Sequence, residues 1–242
     1  MTGQNRSSAV MQQRSEPHDS LDDFPTPPWA TRALCEFLRQ QGFDLSAAVC
    51  REPCANRGYM VRPLLEQFGV VLASDIFDYG AGFMVRDYLF GPDADEDEVD
   101  WTFINPPFRL AQEFIERALR LSKIGVVVIA RSAFSEGQDR AASLFLDRPP
   151  SFELQFSERV VMLKGRLVRS GAVDPFADVP GKKASTATSY SAFVWLTRDA
   201  APADTRKRWI APCRLRLERP GDYPDYPVAV PSDRGLFAEG AA

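Results

Sequence analysis

Histidine is nearly absent from this sequence, and cysteine is scarce. The single histidine, His18, lies in a polar N-terminal stretch, so we expect no histidine-based catalytic triad in the folded part. Four cysteines are too few and too scattered for a disulfide framework. Cys50 and Cys54 are close in sequence, but neither a second pair nor a histidine completes a tetrahedral zinc site. We therefore expect reduced, structural cysteines and no bound metal.

Long apolar runs are also missing. No stretch approaches the ~20 residues that a membrane-spanning helix needs, and residues 1–20 lack the apolar core of a signal peptide. We predict a disordered tail over residues 1–20 and a cytoplasmic protein without a membrane segment. The sequence leaves the oligomeric state open.

Charge is unevenly distributed behind the formal net charge of −4. Residues 1–147 contain 14 Lys and Arg against 22 Asp and Glu, whereas residues 148–219 contain 14 against 7. Because Lys and Arg neutralise phosphates, the basic region 148–219 predicts a face for a polyanion. The alternative is an ordinary solvated region with a local excess of positive charge.

Apolar runs alternate with amphipathic segments along the chain. Six runs have the composition of strands: SAAVCREP, VVLASDIFDYG, WTFIN, IGVVVIA, FELQFSERVVMLKG and SYSAFVWLTR. RLAQEFIERALRLSK has the apolar periodicity of a helix, and TPPWATRALCEFLRQQG offers Thr26 as N-cap and Pro27 as first helical residue. We predict an α/β fold with a mostly parallel, doubly wound sheet and a C-terminal antiparallel strand. The predicted single domain covers residues 21–198, with a flexible connection at 165–189 that can contact substrate and an extension at 199–242.

Polar residues follow four of the predicted strands. They are Glu52, Asp75, Asn105 and Ser132. Ligands bind at the carboxyl ends of the strands in such sheets, so we expect these four residues to converge on one pocket.

The turn after the first strand contains Asn56 and Gly58, which both accept positive φ and let the backbone approach a ligand. Asp75 follows about 20 residues later, the spacing at which a carboxylate accepts hydrogen bonds from a ribose. A plain turn and a helix cap are the structural alternatives. Because G-x-G-x-x-G is missing, the pattern favours a mononucleoside-like ligand over a dinucleotide.

The segment DWTFINPPFRL ends a predicted strand on an amide and stiffens the next two positions with prolines, which fix φ and lack an N–H. Asn105, Pro106 and Pro107 are followed by the aromatic Phe108. One interpretation is a rigid turn with a cap. The other is a site that holds a flat, nitrogen-bearing group.

These segments, in this order, resemble S-adenosylmethionine-dependent DNA N6-adenine methyltransferases of the small phage and prophage type, over roughly residues 22–197. NPPF resembles the catalytic (D/N)-P-P-(Y/F/W) motif, and EPCANRGYM is similar to the cofactor loop E-P-A-C-G-x-G-x-M. FPTPPWATR, SDIFDYG and VRDYL resemble the other cofactor segments. The resemblance implies a Rossmann-like class I methyltransferase fold and S-adenosyl-L-methionine as cofactor. It further implies methylation of the N6 amino group of an adenine that is flipped out of DNA.

The resemblance also implies roles for residues. Asn105 and the Pro106 carbonyl would each accept one N–H of the target amino group. Pro107 would stiffen the turn, and Phe108 would stack on the base. DNA would bind through residues 148–219. The implied cofactor set is Pro25, Thr26, Pro27, Glu52, Cys54, Asn56, Gly58, Met60, Asp75, Ile76, Asp87 and Tyr88, with Asp75 at the ribose and Asp87 at the adenine amino group.

Two alternatives stay open. The same turn occurs in methyltransferases that act on adenine or guanine amino groups of RNA and on glutamine of release factors, so RNA methylation is the second hypothesis. Asn56 stands where the family has its first glycine, which keeps open a degenerate methyltransferase fold that acts as a binding module.

Overall fold

The computed structural model describes residues 22–91, 93, 98–197 and 204–227. The predicted tail over residues 1–20, with His18, lies outside the described residues, and so do parts of the predicted extension at 199–242. Among the helices of the described part, none has the length and apolar character that a membrane crossing requires.

Eight strands form one sheet in the order β3-β2-β1-β4-β5-β7-β6-β8. The strands are β1 (Val49–Glu52), β2 (Val70–Asp75), β3 (Met84–Val85), β4 (Val99–Ile104), β5 (Ser122–Arg131), β6 (Phe152–Phe156), β7 (Tyr190–Leu196) and β8 (Arg206–Ile210). The helices are α1 (Pro28–Gln40), α2 (Val61–Leu65), α3 (Ala111–Leu121), α4 (Gln138–Arg140) and α5 (Arg214–Leu217). A 3₁₀ turn spans Ser132–Ser135, and a π-helical turn, Ala141–Phe145, continues α4.

The first five strands pair in parallel, and β7 runs antiparallel to both of its neighbours, β5 and β6. The predicted mostly parallel sheet with a C-terminal antiparallel strand is therefore confirmed. β8 pairs in parallel with β6 although it lies in the predicted extension. Its sequence, RKRWI, is too polar to predict a buried strand. An edge strand tolerates such residues because it is open to solvent.

Helices cover both faces of the sheet. In β5, Val127 and Ile129 pack into the cluster built with α1 and α2, whereas Val126 and Val128 pack into the cluster built with α3. Successive side chains of a strand point to opposite faces, so a strand covered on both sides is apolar at every position. This is why IGVVVIA reads as one continuous apolar run.

The start of α1 differs from the prediction. The helix begins at Pro28, with Pro27 as its N-cap, and no side chain caps it. Pro28 therefore takes the first helical position, where its missing N–H costs nothing. Thr26 lies one residue before the N-cap, and its hydroxyl accepts from Asn105 Nδ2 (3.0 Å).

Candidate active site

A cavity lies where β1, β2 and β4 end, at the carboxyl edge of the sheet. The turn after β1 supplies Pro53 to Asn56, and β2 supplies Asp75. Asn105 and Pro107 follow β4, and the segment before α1 adds residues 22–26. The predicted convergence of strand ends therefore holds for Asp75 and Asn105.

Ser132 does not join them. It follows β5 and lies in a separate groove with Gln155 and Ser189, and its hydroxyl is 2.9 Å from that of Ser191. β5 lies one strand beyond β4 in the sheet, and the Ser132 N–H donates to the Ser189 carbonyl (2.9 Å) on the β7 side, opposite the cavity. The expectation of a four-residue pocket is wrong for Ser132.

The cavity is acidic. Four aspartates line it, Asp22, Asp23, Asp75 and Asp87, and within the described part of the chain no lysine, arginine or histidine does. Asp23 forms an ion pair with Arg57 (2.9 Å), so its charge is partly offset. Among residues 22–91, 93, 98–197 and 204–227, no group of three or more His, Cys, Asp and Glu is placed to hold a metal ion.

The turn after β1 has the backbone that its sequence predicts. Asn56 has φ 52° and Gly58 has φ 79°. Asparagine tolerates the left-handed region far better than most residues do, so it fits where the resembled family has glycine. A Cβ at Gly58 would come within 2.9 Å of the Phe83 ring, which adds a packing reason for that glycine. The backbone N–H of Asn56 donates to Asp75 Oδ2 (2.9 Å) and ties the turn to β2.

Asp75 and Glu52 are carboxyls with different surroundings. Asp75 lines the cavity, and partial burial raises its pKa although backbone N–H groups, including that of Phe77, hydrogen-bond to it. Glu52 is fully buried beneath the cavity, where Oε1 accepts from the Cys54 N–H (3.1 Å). Its Oε2 has no hydrogen-bond partner among the described residues. Burial, reinforced by the nearby Asp75 charge, raises the pKa of Glu52 well above the usual range.

The remaining predicted cofactor residues divide into two groups. Nine of them line the cavity: Pro25, Thr26, Cys54, Asn56, Met60, Asp75, Ile76, Asp87 and Tyr88. Pro27, Glu52 and Gly58 are not among its lining residues; they shape the surrounding backbone. Asp87 Oδ1 accepts from the Leu89 N–H (2.9 Å), and Tyr88 is buried against Phe114 with ring centroids 5.4 Å apart.

Asn105 has a defined amide orientation. Its Nδ2 donates to the Phe24 carbonyl (2.8 Å) and to Thr26 Oγ1 (3.0 Å), and lies 3.9 Å from Met162 Sδ. A carbonyl oxygen only accepts, so the NH₂ group must face Phe24. Oδ1 then points the other way, and no described residue donates a hydrogen bond to it. Asn105 therefore presents an acceptor.

The segment before α1 packs directly on NPPF. Asp22 Oδ2 accepts from the Phe108 N–H (2.5 Å), and the Phe24 and Phe108 rings lie 5.7 Å apart. The Arg131 guanidinium, at the end of β5, lies 4.1 Å from the centre of the Phe108 ring. Phe108 therefore belongs to an aromatic and cationic cluster at the edge of the cavity. The cavity itself is lined by Pro107 and not by Phe108.

Several residues of this site were not expected from the sequence. Asp22 and Asp23 precede the segment that resembles a cofactor-closing loop, and their contacts with Phe108 and Arg57 depend on the folded chain. Tyr59 and Tyr79 line the cavity without belonging to any motif. Arg131 ends an apolar run and carries no pattern that marks it.

Solved structures share the fold. A protein assigned as a class I S-adenosylmethionine-dependent methyltransferase from Listeria monocytogenes has TM-score 0.55 at 12% identity, over 84% of this chain and 69% of that one. The modification subunit assigned to a type I restriction enzyme from Vibrio vulnificus has TM-score 0.50 at 14% identity, over 84% of this chain and 50% of that one. This chain spans half of that subunit's length. No protein-family model matches the sequence, and no curated protein matches it. The protein has the Rossmann-like fold of class I methyltransferases.

Proposed function

We propose that this protein is an S-adenosylmethionine-dependent methyltransferase that acts on the N6 amino group of adenine in DNA. The observation that carries the proposal is the fixed amide of Asn105, whose NH₂ group is occupied by Phe24 and Thr26 and whose Oδ1 is left as an acceptor. An acceptor at the edge of an acidic cavity suits a substrate that brings N–H groups. An exocyclic amino group is such a substrate. The catalytic domain would comprise residues 21–198.

The acidic cavity fits the cofactor. S-adenosylmethionine carries a sulfonium and an ammonium, and it supplies a reactive methyl group. Four aspartates around the cavity favour a cation and disfavour phosphate-bearing nucleotides. Asp75 would accept from the ribose hydroxyls, since a carboxylate has about four acceptor sites and backbone N–H groups take only part of them. Asp87 would accept from the adenine amino group, and Pro25, Thr26 and Met60 would enclose the methionine part.

The catalytic residues would act by hydrogen bonding and position. The lone pair of an adenine amino group is delocalised into the ring, which makes the nitrogen a poor nucleophile. Asn105 Oδ1 and the Pro106 carbonyl would each accept one N–H, which draws the nitrogen toward tetrahedral geometry and exposes its lone pair. Pro106 and Pro107 fix φ and keep the carbonyl aimed. Positioning of this kind contributes on the order of 7–11 kcal/mol in favourable cases.

The base must leave the duplex to reach Asn105. Phe108 would stack on it only after Arg131, which lies 4.1 Å from the centre of its ring, moves aside. The similarity to a restriction-modification subunit is at the level of fold and is compatible with a DNA substrate. The excess of Lys and Arg in residues 148–219 supports a polyanionic partner.

Methylation assays with labelled S-adenosylmethionine test the proposal. Duplex DNA, tRNA and rRNA are offered separately, and the modified nucleosides are identified. We expect N6-methyladenine in DNA. Label that appears only in RNA would refute the DNA substrate. Failure of the cofactor to bind in a calorimetric titration would support the alternative of a non-catalytic binding module, which the Asn56 departure motivated.

A further inference from the structure

A short segment before α1 bridges two sides of the cavity. Residues 22–26 all line it, and we call them the strap. On the β4 side, the Phe24 carbonyl and Thr26 Oγ1 accept hydrogen bonds from Asn105 Nδ2 (2.8 and 3.0 Å). The direction of the Asn105 amide therefore depends on where the strap lies.

Asp23 fastens the strap on the opposite side, to the turn after β1. Its carboxylate accepts from Asn56 Nδ2 (2.7 Å) and from Arg57 Nη1 (2.9 Å). Its carbonyl accepts from the Gly165 N–H (2.8 Å). The Asp23 side chain is 13% exposed, so water competes little for these charge-assisted bonds. Because Asp23 directly precedes Phe24, it holds the strap one residue from the carbonyl that orients Asn105.

The Asn56 side chain is turned toward the strap. A carboxylate can only accept, so the NH₂ group of Asn56 must face Asp23. Its Oδ1 accepts from the Arg57 N–H (2.8 Å) and from Arg57 Nη1 (3.1 Å). Glycine, which the resembled family has at this position, would keep the positive φ and make none of these contacts. The departure from the family pattern thus adds a link between the turn and the strap.

We infer that Asn56 is a positioning residue for methyl transfer, whose side chain couples the cofactor turn through Asp23 and the strap to the Asn105 amide. The inference rests on the proposed function and adds a link between its two binding sites. A cofactor that packs on the turn after β1 would order it, and the ordered turn would hold Asp23. The Phe24 carbonyl would then stay on Asn105 Nδ2. Cofactor and target amino group thereby strengthen each other's binding by the same factor.

Asn56→Gly isolates the side chain, because glycine accepts the φ of 52° at this position. We expect kcat to fall about five- to tenfold, the size expected for loss of one charge-assisted hydrogen bond. KM for S-adenosylmethionine should stay within about threefold. Asp147→Asn, which changes an exposed carboxylate outside the cavity lining, is the control and should change neither. A loss of cofactor affinity larger than the loss of kcat would make Asn56 a cofactor ligand and overturn the inference.

An exchange of donor and acceptor gives a rescue. Asn56→Asp places two carboxylates together, so kcat should fall further than in Asn56→Gly. Adding Asp23→Asn restores one donor and one acceptor and leaves the charge of the pair as in wild type. Aspartate also tolerates positive φ. We expect the double variant to recover kcat to within about threefold of wild type. No recovery would mean that the contact between residues 23 and 56 does not position the site.

Hydrogen exchange measured by mass spectrometry reads the coupling without a nucleic acid. Added S-adenosylmethionine should slow amide exchange in wild type over residues 52–60 and also at Phe108, whose N–H is held by Asp22 of the strap. In Asn56→Gly it should slow exchange over residues 52–60 only. Equal protection of Phe108 in both proteins would mean that the buried Phe24 ring holds the strap by itself, and the inference falls.

The two assays distinguish failure of this inference from failure of the proposed function. If cofactor protects Phe108 only when Asn56 is present, but no variant methylates DNA, the coupling stands and the proposed substrate falls. If wild type and Asn56→Gly methylate DNA with the same kcat, the proposed function stands and the inference falls.

Discussion

Asn105 is oriented by two acceptors that precede it in the chain by 81 and 79 residues, the Phe24 carbonyl and Thr26 Oγ1. An asparagine that is held only by solvent can rotate its amide, and it then offers a donor as readily as an acceptor. The two contacts remove that freedom. They turn a polar residue at a strand end into a directed acceptor, and this is the feature on which methylation of an amino group would depend.

Substitution of Asn105 separates chemistry from cofactor binding. We expect Asn105→Ala to lower kcat by about 100-fold or more, because a preorganised hydrogen-bonding group at a reacting centre is commonly worth that much. The calorimetric Kd for S-adenosylmethionine should stay within about threefold. Gln41→Ala, which removes an exposed amide just after α1, is the control and should leave both unchanged. Equal losses in turnover and cofactor affinity would mean that Asn105 is structural.

The buried Glu52 carboxyl predicts how the stability of the folded protein depends on pH. Its pKa is raised in the folded protein by burial, so the native state holds a proton that the unfolded chain releases above pH about 4.5. Stability therefore falls as pH rises through and above that value. At pH 8 we expect Glu52→Gln to unfold at a higher urea concentration than wild type. Its free energy of unfolding should be larger by about 1–3 kcal/mol, which is the cost of an unsatisfied buried polar group.

The difference between Glu52→Gln and wild type should shrink toward pH 5. The exposed Glu98, which pairs with Lys123 at the surface, provides the control substitution Glu98→Gln. Equal stability of Glu52→Gln and wild type at pH 8 would mean that the carboxylate is solvated in the folded state.

At the scale of elements, the C-terminal segment is fastened to α1. The Arg32 guanidinium donates to both oxygens of Asp222 (2.7 and 2.8 Å), to both oxygens of Glu66 and to the Leu217 carbonyl. Arg32 and Asp222 are both buried. This network holds α5 against the helix that begins next to the Asn105 contacts, and so links the segment after β8 to the geometry of the site.

Removal of Asp222 should therefore be costly. Loss of one partner from a buried ion pair typically destabilises by about 3–5 kcal/mol, and Glu66 remains to share Arg32, so we expect about 2–3 kcal/mol for Asp222→Ala. Urea unfolding measures this. Glu36→Gln breaks the exposed pair with Arg216 and should cost at most about 1 kcal/mol. Similar costs for the two variants would contradict the role of the buried network.

In the molecule as a whole, charge is unevenly distributed over the sheet. The cavity at β1, β2 and β4 is lined by aspartates, whereas the β8 edge carries Arg206, Lys207 and Arg208. The aspartates of the cavity would favour a cationic cofactor over an anionic ligand.

The charge of the cofactor tests whether the acidic cavity selects a cation. S-adenosylhomocysteine lacks the sulfonium charge but is otherwise nearly the same molecule. We expect S-adenosylmethionine to bind about tenfold more tightly, with the difference shrinking as salt rises. The amine analogue sinefungin, which restores a positive charge, should recover most of the affinity. ATP should bind poorly. Equal affinities for the charged and uncharged ligands would refute the electrostatic account.

Much of the α/β architecture followed from local patterns. The apolar run of β5 and the periodicity of α3 are properties of adjacent residues, so the sequence alone predicts a strand covered on both faces and a helix that covers one. Positive φ at Asn56 and Gly58 was likewise predictable, because it depends on residue type. β8 and the start of α1 were not predictable from local patterns, because a polar edge strand and a helix cap depend on partners elsewhere in the chain.

Local sequence patterns were enough to predict the fold class and the polar residues that follow the strands at the carboxyl edge. Which of them meet depends on the folded sheet: Asp75 and Asn105 share the cavity, whereas Ser132 lies in a separate groove beside β7. The tertiary structure also decided the direction of the Asn105 amide, the acidity of the cavity and the position of Arg131 over Phe108. The physical reason is distance along the chain. Hydrogen bonds and charges between residues some 80 positions apart leave no periodic trace in the sequence, whereas strands and helices do.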